Sequence, residues 1–243
     1  MEDHEWAAMP NEASACIITA SNLFDVWRET LRKVKQGIEC LDPWESTRIR
    51  ELPNSTIICE RQPLRSELPE ILRPALDQKG GFKFLDAFFN IGSVWPPAHN
   101  FNSKDVPRDN GEVTQYESVI SHLRSKPTSR RGVIVLVNAQ KDFPGIDLPP
   151  SNPKSHQHYE FPALVAVDFK IRSKLYLTAF FRSLEVLNWL PFNFIQLAAI
   201  QGNACTKLNQ SPGPITILAT SIHYYVEEEK TVEKILKMKP SLL

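Results

Sequence analysis

Three groups of arginines stand out in the chain: Arg48 and Arg50, the triplet Ser129-Arg130-Arg131, and the pair Arg182-Ser183. A guanidinium is a planar fork of donors that keeps its charge, so a site for a phosphomonoester usually gathers several of them. Taken singly, each is more simply a solvated surface charge, and its meaning has to come from its neighbours. Arg182-Ser183 opens the string FRSLEVLNWLPFNFIQLA, where Asn193 offers an amide carrying both a donor and an acceptor. Further on, His223 and Tyr225 alternate, so a strand would set both on one face. His156, His158 and Glu160 alternate too, and two histidines with a carboxylate can ligate a metal. A solvated loop is the simpler reading of that group, and no metal site is expected.

These residues need elements to position them. Leu23, Trp27, Leu31, Val34 and Ile38 recur at helical spacing between Ser21-Asn22 and Gly37, which predicts an amphipathic helix. The stretch STRIRELPNSTIICE, broken by Pro53-Asn54, predicts two strands around a turn. Gly80-Gly81 and Pro96-Pro97 punctuate a middle where Phe82, Phe84, Phe88 and Phe89 are read as core. Val113, Tyr116, Val119, Ile120 and Leu123 form a second helical stripe, and Arg130-Arg131 lead into the strand-like run GVIVLVN. Residues 142–159 carry four prolines and read as a long functional edge. Two strands, Phe161 to Ile171 and Lys174 to Phe181, flank Arg172-Ser173 as a tight hairpin. Pro191 suits the first turn of a helix reaching about Asn203. A strand from Ile215 to Tyr225 and the charged helix EEEKTVEKILK close the pattern, and nothing divides the chain, so one domain over residues 1–243 is expected.

Composition narrows the function classes. Basic and acidic residues balance at 28 each, which gives no footprint for wrapping a nucleic-acid backbone. No apolar run reaches the length of a membrane span, and Met1-Glu2-Asp3 does not open a signal peptide. A soluble cytoplasmic protein with no nucleic-acid or membrane partner is the expectation. Cys16, Cys40, Cys59 and Cys205 form no CxxC pair and are read as free thiols, mostly buried.

Together the motifs resemble the thymidylate synthase family. Arg182-Ser183 followed by Leu190-Pro191-Phe192-Asn193 is similar to that family's RS…LPFN signature, Ser129-Arg130-Arg131 to its SRR, and Ile222-His223-Tyr224-Tyr225 to its THLY. The opening helix and STRIRELP resemble its N-terminal segment, so the likeness runs from about residue 17 to 226. The resemblance implies an α/β fold with a mixed sheet, flanking helices, and one sheet face packed in a homodimer. It also implies roles. Arg182 and Ser183, helped by Arg48 or Arg50, would hold the phosphate of a nucleoside monophosphate, and Arg130 and Arg131 would reach the phosphate of the neighbouring subunit. His223 and Tyr225 would bond the sugar hydroxyl, and Asn193 would face the edge of a pyrimidine. Glu67 and Glu70 in LRSELPEIL lie where the family has its general-acid glutamate, and Glu70 is the better candidate.

The pattern then breaks. Methyl transfer to carbon 5 of a uracil needs a thiolate that adds to carbon 6, and the family supplies it in a Pro-Cys-His context. Here Pro162 is followed by Ala163 and Leu164, and none of the four cysteines is an obvious substitute. The family's folate-side aspartate and glycine are replaced by Glu185 and Trp189, an indole that fills the volume of a flat cofactor. The closing tail, Met238 to Leu243, lacks a close match. The resulting expectation is a divergent member that binds a pyrimidine nucleoside monophosphate with no cofactor. It would act without cysteine- and folate-dependent methyl transfer, by a reaction assisted by Glu70 or the His156-His158-Glu160 group, or be a catalytically silent nucleotide-binding subunit.

Overall fold

The computed structural model describes residues 16–42, 47–67, 115–137 and 163–238. Glu70, His156, His158, Glu160, the phenylalanines of 82–89, Gly80-Gly81, Pro96-Pro97, the 142–159 segment and the residues after Met238 lie outside the described residues.

Helix α1 spans Leu23–Lys35. Asn22 starts it in extended geometry by accepting the Asp25 N–H at 2.9 Å, which satisfies one of the orphan donors of a helix start. The apolar stripe is buried through Leu23, Val26, Trp27, Leu31 and Val34. Ile38 does not extend this stripe as the spacing predicts. A side chain at Gly37 would stand 2.1 Å from the Glu51 carbonyl oxygen, so the chain turns there against the sheet, and Ile38 opens strand β2 (Ile38–Asp42).

The fold is α/β, with a mixed eight-stranded sheet and flanking helices. Besides β2, its strands are β1 (Cys16–Ala20), β3 (Thr47–Cys59), β4 (Val133–Val135), β5 (Leu164–Ile171), β6 (Leu175–Phe181), β7 (Leu184–Glu185) and β8 (Pro212–Tyr225). They run in the order β1-β3-β8-β6-β5-β4, while β2 pairs with the first half of β3 and β7 with the end of β8. β1 is parallel to β3 and β6 to β8; the β3–β8, β6–β5 and β5–β4 pairs are antiparallel. The hairpin at Arg172-Ser173 forms as its flanking alternation predicts, closed by the Arg172 N–H on the Lys174 carbonyl at 3.0 Å.

One sheet face is packed. Ile57, Phe169, Leu177, Ala179, Phe181 and Ile217 join a single core with α1, α2 (Gln115–Ser125), α3 (Trp189–Leu208) and α4 (Glu229–Lys237). The charged helix near the C-terminus starts after a short 3-10 turn, Val226–Glu228. The opposite face presents Ile17, Val133, Val135, Tyr176, Phe180 and Leu218 to the surface, from 36% exposed at Tyr176 to 71% at Ile17.

STRIRELPNSTIICE forms one strand, β3, and not two strands around a turn. Asn54 takes a left-handed φ of 51°, yet pairing to β8 keeps its register on both sides, with Pro53 opposite Ser221 and Ser55 opposite Ala219. The buried set changes phase at this level: Ile215, Ile217 and Ala219 face the core on one side of it, Ile222 and Tyr224 on the other. The pairing of β5 to β6 shifts next to the same rung, between Leu164 and Ala166. Leu164, Phe181, Ala219 and Ser55 are successive partners along that rung. The left-handed Asn54 on β3, the phase change on β8 and the shift of β5 against β6 thus lie at one level of the sheet, a local break in its regularity.

Candidate functional site

Arg182 follows β6 immediately beyond that break. Its N–H donates to the Ala163 carbonyl at 2.9 Å, and its own carbonyl accepts the Thr220 hydroxyl at 2.6 Å. Arg182 and Ala163 are both exposed, Ser183 is half-buried, and Leu164 turns into the core. Packing around the Arg182 stem lowers its guanidinium pKa by desolvation, in a residue type that keeps its charge regardless. Ala163 offers only a methyl group here, with neither a nucleophile nor a proton.

The segment after Ser183 is held from three sides. Leu184 and Glu185 pair with Ile222 and His223, and the Val186 N–H donates to the His223 carbonyl at 2.8 Å. From α1, the buried Trp27 indole donates to the carbonyls of Val186 at 2.9 Å and Leu187 at 3.1 Å. Glu185 receives the start of α3: its two carboxylate oxygens accept the N–H groups of Leu187 at 2.6 Å, Asn188 at 2.9 Å and Trp189 at 3.0 Å. Burial pushes its pKa up to about 7 against those three donors, and the charge of Glu228 pushes the same way. Asn188 bridges to Glu228 with its amide at 3.2 Å.

Helix α3 begins at Trp189, so Pro191 falls in its first turn as expected, and the helix continues past Asn203 to Leu208. Asn193 is half-buried one turn after Trp189. On β8, His223 is buried and meets Tyr225 edge to face, with ring centroids 5.9 Å apart, on one face of the strand as the alternation predicts.

Arg48 and Arg50 lie on β3 and share one carboxylate. Strand β2 sets Glu39 opposite Arg50, and both guanidinium groups pair with that carboxylate, Arg50 at 2.7 Å. In the β3–β8 register Arg50 lies opposite Tyr224, next to the partners of His223 and Tyr225, and four strand positions, roughly 13 Å, from Asn54. Arg130 and Arg131 are exposed at a different end of the sheet. Ser129 accepts the Arg131 N–H at 3.1 Å and contacts His122 Nε2 at 2.7 Å, while Lys170 donates to the Arg130 carbonyl at 3.1 Å. Gly132 next to them takes the Phe169 N–H. Six positions of β5 separate Phe169 from Ala163, roughly 20 Å, so these arginines do not converge with Arg182 inside one chain.

The cysteines are all free: Cys59 and Cys205 are buried, Cys16 and Cys40 half-buried. Burial pushes the Cys59 thiol up to about 12 and the Cys40 thiol up to about 11, and it raises Cys205 as well. These three are poor nucleophiles at neutral pH. Among the described residues no cluster of histidines, cysteines and carboxylates could hold a metal, and no helix is long and apolar enough to cross a membrane. Sequence reading missed the Glu185 cap, since a carboxylate serving amides two to four residues ahead looks like any acidic loop residue until the turn is formed.

The chain is similar to archaeal proteins carrying the name "Putative thymidylate synthase". One from Methanosarcina mazei is 27% identical over 222 residues, covering 91% of this chain and 94% of the relative. One from Methanosarcina barkeri is 26% identical with the same coverage, and one from Methanocaldococcus jannaschii is 25% identical over 87% of this chain and 91% of the relative. The family model described as Thymidylate synthase matches residues 34–243. With most of the chain matched and the motif residues set on a mixed sheet, the chain belongs to the thymidylate synthase family.

Proposed function

We propose that this chain binds a pyrimidine nucleoside monophosphate and processes it without a cysteine adduct and without folate. The observation that carries this reading is the backbone pairing of Arg182 with Ala163: the phosphate-type arginine stands directly beside a position where the family pattern calls for a nucleophile and this chain has a methyl group. Arg182 and Ser183 hold the phosphate, Asn193 meets the base edge, and His223 with Tyr225 meets the sugar hydroxyl. Glu70 is the proposed acid–base residue. The residues in hand do not fit a folate. Glu185 commits both carboxylate oxygens to the α3 amides, and Trp189 puts an indole where the pattern has a glycine.

The bare apolar face of the sheet supports a second copy as partner, because contiguous exposed apolar side chains mark association surfaces. In that homodimer Arg130 and Arg131, too far from Arg182 in their own chain, complete the phosphate site of the other copy.

A second reading is favoured by the poor nucleophilicity of the buried thiols and by the methyl group at residue 163: a silent subunit that binds the nucleotide and leaves it unchanged. One experiment separates the two. Titration calorimetry with ribo- and deoxyribonucleoside monophosphates, followed by mass analysis after long incubation, is expected to give binding and a changed mass. Binding with unchanged nucleotide establishes the silent subunit, and absence of binding overturns both readings.

A further inference from the structure

Helix α3 is buried almost all round near its start, and that makes its one opening informative. From Leu190 to Ala198 every side chain except Asn193 is buried, and Trp189, one turn before Asn193, is 41% exposed. Positions i and i+4 share a helix face, so the indole and the amide are surface neighbours in the only window between Trp189 and Ala198. A large aromatic ring, partly exposed, stands there beside a half-buried amide. It suits a flat heterocycle that has hydrogen-bonding groups on its edge and a π-face to cover. The platform is also held in place: Glu185 accepts the Trp189 N–H at 3.0 Å, and Phe192 meets the indole edge to face with centroids 6.2 Å apart. The loop leading into it is pinned by the Trp27 indole.

We infer that Trp189 is the stacking platform for the base of the bound nucleotide, a specificity residue acting beside Asn193; this rests on the function proposed above. Aromatic stacking on a base is indifferent to base edge, so Asn193 selects the base while Trp189 supplies affinity for having one at all.

Calorimetry with UMP, dUMP and ribose 5-phosphate tests it on the full chain, with Trp189→Ala and Trp189→Phe compared to the parent protein. Trp189→Ala is expected to weaken the better-bound nucleotide about tenfold, the scale of one lost base stack. Trp189→Phe keeps most of the affinity, and ribose 5-phosphate binds all three proteins alike. Nucleotide binding is also expected to quench indole fluorescence in the parent and not in Trp189→Phe. Equal nucleotide affinity in Trp189→Ala and the parent overturns the inference while leaving the function standing. A loss that is as large for ribose 5-phosphate overturns it too, since the substitution then acts on the phosphate end. Failure of the parent to bind any nucleotide removes the function and this inference together.

Discussion

At residue 163 this chain carries a methyl group where the family resemblance implies a thiol. The neighbouring backbone is well placed for it, with the Arg182 N–H on the Ala163 carbonyl and the side chain exposed. Ala163→Cys is therefore expected to create the fastest-reacting thiol in the protein. In a timed iodoacetamide labelling at pH 7.5, read by peptide mass spectrometry, the new cysteine labels first and Cys59 and Cys205 lag far behind. Faster labelling of Cys59 would contradict the burial that pushes its thiol up to about 12. Leu164, which is turned into the core, still leaves no histidine beside the new thiol. Arg182 is the other decisive residue. Removing a guanidinium that holds a phosphate costs on the order of 2 to 5 kcal/mol of binding, so Arg182→Ala should abolish measurable nucleotide binding by calorimetry, and undiminished affinity would move the phosphate site elsewhere. The types and spacings of these residues were legible in the sequence. The commitment of Arg48 and Arg50 to Glu39 was not, because it depends on a strand, β2, that pairs to β3 across a loop.

Among the elements, the start of α3 carries a pH signature. The Glu185 carboxyl titrates near pH 7 in the folded chain, well above its ordinary value of 4.5, chiefly because burial disfavours its charged form. Below about pH 4.5 the group is protonated folded or unfolded. Between that pH and about 7 the unfolded chain releases the proton and the folded chain retains it, so this contribution to stability is lost as pH rises through the folded value. The expected change is at most about 3 kcal/mol. Melting temperatures from pH 5 to 8 should fall in the parent protein and run flatter in Glu185→Gln, which starts lower because an amide accepts from fewer of the three N–H groups. Parallel profiles would mean that Glu185 is charged throughout. Elements with strong periodicity were readable: α2, the β5–β6 hairpin, α3 from its proline, and β8. β1 and β2 escaped, being five residues each without a clean buried alternation, and the last turn assigned to α1 was lost to the close approach of Gly37 to Glu51.

For the molecule as a whole, the bare sheet face and the remote Arg130-Arg131 turn make one joint prediction. A protein carrying Arg182→Ala and one carrying Arg130→Ala with Arg131→Ala should each bind nucleotide poorly. Mixed after dissociation and reassociation, they should recover one good site per mixed dimer, because the second chain of that dimer lacks no arginine that the first site requires. Calorimetric stoichiometry reads this directly, and mixtures no better than their components would place Arg130 and Arg131 outside the site. Replacing Phe180 and Leu218 by serine on the same face should shift the protein to monomer in analytical ultracentrifugation.

The sequence by itself determined the family and the α/β class, since short motifs and local periodicity are properties of neighbouring residues. Only the tertiary structure decided that Asn54 lies inside one paired strand, level with the shift between β5 and β6, that Ala163 lies against Arg182, that Glu185 caps α3, and that Arg130 and Arg131 lie far from Arg182. Each of these depends on which backbone groups pair across long sequence separations, and that choice is made by burial of the whole sheet and not by any one segment.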